Sequence, residues 1–360
     1  MLTRAYTLRF NTPAFLGNAD QDGQWRTPPI KALLRQWWRV AYAADQSGAV
    51  EVGAMRAAEG KLFGVAADRE GDSRKSLVRI RLNRWDKGCL STWSGQEQGV
   101  APVTHPEVKR NGQVAPVSSQ LYLGYGPLRF AGGQTSLKAR AAVQAGEHAA
   151  LSLAFPSDAE GSRLDTALSL MQHYGTLGGR SRNGWGSFSL TPVDASTPAL
   201  KADLDARLTA HWQDALKVDW PHAIGTSDGK PLIWQTEALQ DWKSVMRRLA
   251  ELKIGLRTQF KFTSGRDAAQ PEERHWLSHP VTNHNVAAWR ERAKGEFRLP
   301  NSLRFKVRAD ADGKLRGVIF HVPCLPPPQF RPNLAAIHSV WRQVHMHLDH
   351  ADRKLTRLPA

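Results

Sequence analysis

Ten residues, GGRSRNGWGS at 178–187, set four glycines among two arginines, an asparagine and a tryptophan. Glycine permits positive φ and lets another backbone approach closely. Amide N–H groups of Gly178, Gly179 and Gly184 could cradle phosphate oxygens, and Arg180 and Arg182 could fork onto them. Asn183 tolerates left-handed geometry, and Trp185 offers a face for base stacking. A plain turn carrying exposed charges would have the same composition, so the stretch by itself leaves both readings open.

A second candidate lies near the N-terminus. Lys31, Arg35 and Arg39 stand four residues apart, which stacks them along one side of a helix. Like charges at that spacing oppose one another, and a bound anion would relieve the cost; acidic neighbours from elsewhere in the fold would do so equally well. Histidines supply a third kind of chemistry. His173 lies five residues before the glycine-rich stretch, and the tail holds His338, His345, His347 and His350. His347 and His350 are three apart and could share a metal, but only Asp349 stands near as a further ligand, so no metal or other cofactor is expected.

The elements that must position these residues follow from periodicity. RAYTLRF (4–10) alternates as a strand. A helix begins near Thr27, read as its cap, with Pro28 and Pro29 in the first turn and Ile30, Leu33, Leu34, Trp37 and Ala41 on one face. EGKLFG (59–64) reads as a helix stop, 76–85 and 148–155 as strands, and 163–174 as a helix arriving at the glycine-rich stretch. Residues 86–117 show no period and read as a long loop, while 119–128 reads as a strand. With a strand over 185–190, the first half has the order βαββαβ. After a linker at 191–198, helices are expected over 201–217 and 240–256. A strand hairpin around Asp312-Gly313 and a last helix over 333–350 complete the chain.

Length and composition set the outer bounds. A chain of 360 residues suggests two domains. Its net charge of +16 is carried by both halves, with arginine in excess of lysine. The natural partner is a polyanion, and the arginines favour phosphate. The two cysteines, Cys89 and Cys324, form no disulfide framework or zinc signature. No apolar run approaches a membrane span, and no signal peptide is read at the start, so the cytoplasm is expected and a membrane partner is not.

Four segments carry a family resemblance: TPAFLG (12–17), RTPPIKALLRQWWR (26–39), EGKLFG (59–64) and GGRSRNGWGS (178–187). In this order they resemble the RAMP superfamily of CRISPR-associated RNA-binding proteins, and within it the first subunit of the Cmr (type III-B) effector complex. Asn18 stands where that family often has a second glycine. The resemblance implies an α+β fold of two ferredoxin-like (βαββαβ, RRM-like) domains in tandem with a C-terminal helix. They are placed at 1–195 and 196–330, with the helix and tail at 331–360. It also implies a non-catalytic subunit that contacts guide RNA and target RNA near the guide 3′ end, beside other RAMP subunits. Carried over by position, the RNA-contacting residues are Lys31, Arg35, Arg39, Gly178, Gly179, Arg180, Arg182, Asn183 and Gly184, with Trp38 and Trp185 as stacking candidates. The alternative is a stand-alone, metal-independent endoribonuclease that processes guide precursors, with His173 as its general acid or base. Asp68 and Asp72, in the loop after the first helix, are weaker candidates for a target-cleaving aspartate.

Overall fold

A computed structural model describes residues 1–46, 49–66, 73–201, 203–291 and 295–359. In the first half, β1 (Leu2–Phe10) is followed by α1 (Thr27–Asp45), α2 (Val52–Phe63) and β2 (Arg79–Leu82). Next come β3 (Val103–Arg110), β4 (Gln113–Val117), α3 (Ser119–Gly124), β5 (Leu128–Ala131) and β6 (Gln134–Leu137). β7 (His148–Phe155), α4 (Ala159–Tyr174) and β8 (Phe188–Pro192) complete it. The main sheet has the order β2-β7-β1-β8 and is antiparallel throughout. The alternation of β1 and β7 puts Tyr6, Leu8, Leu151 and Leu153 into the core, under α1 and α4.

α1 begins where the sequence places it, but Arg26 is the cap residue and no side chain caps the first turn. Pro28 removes one amide that would otherwise lack a partner there. Trp37 and Trp38 are both buried, which at about 1.5–3 kcal/mol for each large apolar side chain makes this helix a main contributor to the core.

Two expectations in this half are corrected. The unpatterned stretch 86–117 contains a hairpin, β3 with β4, turning at Asn111 and Gly112 in the left-handed region. Its strands are mostly exposed, so no apolar alternation marks them. Residues 119–124 are a helix and not a strand: the Ser118 hydroxyl accepts a hydrogen bond from Leu121 N at 3.1 Å, capping a turn that the apolar alternation of QLYLG does not reveal.

The second half is built on β9 (Ile233–Gln235), α5 (Trp242–Thr258), β10 (Leu303–Ala309), β11 (Leu315–His321), α6 (Leu334–Asp349) and β12 (Thr356–Arg357). Their sheet has the order β10-β11-β9-β12 and is antiparallel. The last helix and tail therefore close this sheet through β12. The expected helix over 201–217 is absent; 206–208 and 212–215 are short turns of helix separated by a strand, with the Asp205 side chain holding the first.

One face of the second sheet lies on α1 and α4: Phe320 meets Trp37 and Tyr174, with ring centroids 6.4 and 5.1 Å apart. The other face, with Ile319 and Trp234, packs under α5 and α6. A sheet covered on both sides accounts for the nearly unbroken apolar run VIFHV (318–322). β10 adds a cationic seam. Lys306 Nζ donates to Gly175 O at 2.6 Å and Arg308 Nε to His173 O at 2.9 Å. These are carbonyls at the C-terminal end of α4, where positive charge is favoured.

Candidate nucleic-acid interface

The glycine-rich loop lies between the two halves and is bonded to both. Gly179 N donates to Phe15 O at 3.0 Å, Gly186 N to Pro13 O at 2.9 Å, and the Thr12 hydroxyl to Gly184 O at 2.9 Å. On the other side Phe305 N donates to Arg182 O, and Val307 N to the Ser187 hydroxyl. TPAF and GGRSRNGWGS, far apart in sequence, thus form one structural unit.

This geometry corrects the cradle. Asn183 N and Gly184 N also donate inside the loop, to Arg180 O and Ser181 O, so the amides of Gly179, Asn183 and Gly184 are spent on protein carbonyls. The glycines answer to packing. A Cβ on Gly178 would lie 2.6 Å from Phe15 O, and one on Gly186 1.8 Å from Leu177 O, with φ of +91° and +65°.

The two tryptophans are corrected as well. Trp185 is fully buried, packed against Phe15, Trp93 and Trp242. Trp38 is fully buried and donates from Nε1 to Glu160 Oε2 at 3.0 Å. Neither presents a face to a base, because both aromatic surfaces are consumed by the core.

The basic stripe of α1 meets a carboxylate. Glu59, 5% exposed, accepts from Arg39 Nε and Nη2 at 2.9 Å each and from Arg35 Nε at 3.2 Å. Burial alone would raise the Glu59 pKa, but the arginine hydrogen bonds outweigh it and hold it below the ordinary carboxylate range. The glutamate of EGKLFG is therefore the counter-ion of the helix. Among the described residues Lys31 has no such partner; burial, and then Arg35, lower its pKa.

Arg180, Arg182 and Asn183 behave differently. They line a cleft of about 930 Å³, walled by β3, α3, α5, the loop, and residues 274–284 and 298–301. Lys253, Arg257, Arg274 and Arg298 join them there, and among the described residues Glu107 is the single carboxylate lining the cleft. Glu107 is taken up by Arg274 at 2.6 Å. Lys253 Nζ donates to Asn183 Oδ1 at 2.6 Å, while Asn183 Nδ2 donates to Leu123 O at 2.7 Å. Burial, then Arg257 and Arg180, hold the Lys253 pKa well below its ordinary value. Tyr125, 63% exposed, stands on the rim.

Lys253, Arg257, Arg274 and Arg298 were not singled out from the sequence. The one available signal was the pair Lys253 and Arg257, four apart on a helix whose apolar face was already identified. His173 is not among the cleft residues: it sits at the end of α4 against Arg308, with its pKa pushed down to about 4 by burial first and Arg308 second. His105 does line the cleft, its Nδ1 accepting from Glu107 N at 3.2 Å. Asp68 and Asp72 lie outside the described residues. Among the described residues no group of three His, Cys, Asp or Glu is placed to hold a metal, and no helix is long and apolar enough to cross a membrane.

The model of the RAMP superfamily matches residues 7–189, from β1 through the glycine-rich loop. The chain belongs to the RAMP superfamily. The matched span of this RAMP protein includes TPAFLG, α1, EGKLFG and GGRSRNGWGS. No curated protein matches the sequence. Among solved structures, the apo crystal structure of Cmr1 from Pyrococcus furiosus aligns at 14% identity and a TM-score of 0.47, over 99% of this chain and 98% of that one. The cryo-EM structure of the Type III-B Cmr-beta bound to cognate target RNA aligns at 13% identity and a TM-score of 0.42, over 95% and 99%.

Proposed function

We propose that this RAMP protein is a non-catalytic RNA-binding subunit of a type III-B (Cmr) RNA-guided effector, working beside other RAMP subunits on guide and target RNA. The observation that carries the reading is the cleft, where Arg180, Arg182, Lys253, Arg257 and Arg298 converge and, among the described residues, no carboxylate is left to neutralise them. Such a site suits a phosphodiester backbone. The Cmr assignment rests on the four motifs in their order.

We further propose that the chain is two ferredoxin-like units divided near residue 196, with 331–360 completing the second. What supports this is that each main sheet, numbering its own strands, runs second-third-first-fourth, with a helix after the first strand and another after the third. In this reading the cleft lies along the seam between the units.

The test is fluorescence anisotropy with labelled single-stranded RNA in the absence of metal, followed by a gel of the recovered RNA. Wild type should bind with log K falling as log salt rises, by about 0.7 per phosphate neutralised. Arg180→Ala/Arg182→Ala should weaken binding, and the RNA should stay intact. Shortened RNA would instead favour the endoribonuclease reading. Absence of binding at moderate salt would sink the RNA reading altogether.

A further inference from the structure

We propose that the cleft holds a subsite for one phosphate of a single RNA strand, gripped by the exposed Arg180 and Arg298 and the half-buried Lys253, and that filling it draws a proton onto Lys253. This rests on the RNA reading and adds to it the number of strands and a linked proton.

The geometry of charge comes first. Arg180 leaves the loop at a positive φ of 55° and lies against Gly126; a Cβ there would stand 3.4 Å from its Nη2. The cleft walls, and after them Arg298, disfavour the Arg180 charge. Among the described residues neither Arg180 nor Arg298 has an ion pair or side-chain hydrogen bond. Two guanidiniums held near each other without a carboxylate are stabilised by an anion placed between them.

Lys253 lies below. It comes from α5, on the other side of the seam from Arg180. An ammonium has three donors, and among the described residues only Asn183 Oδ1 takes one. The rings of Tyr122 and Phe305 approach Nζ at 6.0 and 5.9 Å. Among the described residues every other charge lining the cleft near it is positive or already committed: Arg257 from α5, whose Nη1 donates to the Ser278 hydroxyl at 2.8 Å, Arg180 and Arg182 from the loop, and Arg298. Arg274 holds Glu107, and His105, His279 and His284 stand further along the walls. A lysine so placed is disfavoured in its charged form until an anion arrives. A phosphate supplies that charge and restores the ammonium.

The volume limits what else enters. About 930 Å³ is the scale of a small-molecule cleft, room for about two or three nucleotides of one strand and not for a duplex. Tyr125 at the rim gives the adjoining base a surface to stack on.

The experiment is calorimetric titration of the full chain at pH 8 with a short single-stranded RNA. It is run in Hepes and in Tris, whose ionisation enthalpies differ. Wild type should take up a fraction of a proton for each RNA bound. Lys253→Arg should keep the affinity within about threefold and lose the uptake, since arginine stays charged throughout. Lys253→Met should weaken binding about tenfold and reduce the salt slope by about one phosphate. Uptake that persists in Lys253→Arg, or a fully paired RNA duplex binding as tightly as the single strand, overturns the proposal while leaving the RNA reading in place. No RNA binding by wild type overturns both.

Discussion

Two arginine-rich regions of this molecule look alike in sequence and differ in the fold. On α1, Arg35 and Arg39 converge on the buried carboxylate of Glu59. Around the cleft, among the described residues, Arg180 and Arg298 have no carboxylate partner, and the one acid lining it, Glu107, is held by Arg274. The first arrangement is an ion-paired helix face that fastens α1 to α2. The second leaves two exposed guanidiniums without an acidic partner at a concave site, where a low-dielectric wall strengthens their action on a ligand. Basic residues at regular spacing therefore mark a binding face only when no acid is folded beneath them.

The largest effect expected lies in the glycine-rich loop. Gly186→Ala places a Cβ 1.8 Å from a carbonyl oxygen at positive φ, and should cost about 3 kcal/mol or more in unfolding free energy. If denaturant melts show it to be neutral, the loop is not the tightly packed connection between the halves described above. Next is charge reversal in the cleft. Arg180→Glu/Arg298→Glu should lower RNA affinity about a hundredfold, near 2.7 kcal/mol, with little change in melting temperature. An equal loss of affinity from Arg35→Ala/Arg39→Ala would erase the contrast between the two regions.

A smaller effect sharpens the other side. Glu59→Gln should reduce stability by about 1–3 kcal/mol, because two guanidiniums lose their charged acceptor at a buried site. In the same variant RNA affinity at low salt should rise a few-fold, since α1 becomes a second unpaired basic face; unchanged stability would mean that Glu59 is dispensable to the core. The smallest is a pH effect. The Glu59 pKa is depressed in the folded state, so its contribution is present above the ordinary carboxylate value of 4.5 and is lost as pH falls through the folded value. Acid melts of wild type and Glu59→Gln should converge below that point and separate above it.

Much of the local structure was legible because it depends on residues three or four apart. α1, with Ile30, Leu33, Leu34 and Trp37 buried as its spacing requires, is one instance, and the β10–β11 hairpin around Gly313 is another. What was not legible were elements whose residues stay exposed, such as β3 and β4, or whose start depends on a single cap, such as Ser118 before α3. The site divides in the same manner. Arg180, Arg182 and Asn183 were identified from one stretch of chain, but Lys253, Arg257, Arg274 and Arg298 come from segments about 70 to 120 positions away, and no local pattern ties them to the loop.

By itself the sequence determined the order of the main helices and strands, the basic character of the whole and the family segments, because hydrophobic periodicity and backbone preference act over a few residues. Only the tertiary structure decided which cations are neutralised and which are left facing a cavity. Coulomb energy and desolvation depend on distances of a few ångströms, and the fold sets those distances between residues as far apart as Arg35 and Glu59, or Asn183 and Lys253. The same holds for Trp38 and Trp185, whose composition suits stacking on a base and whose surroundings bury them.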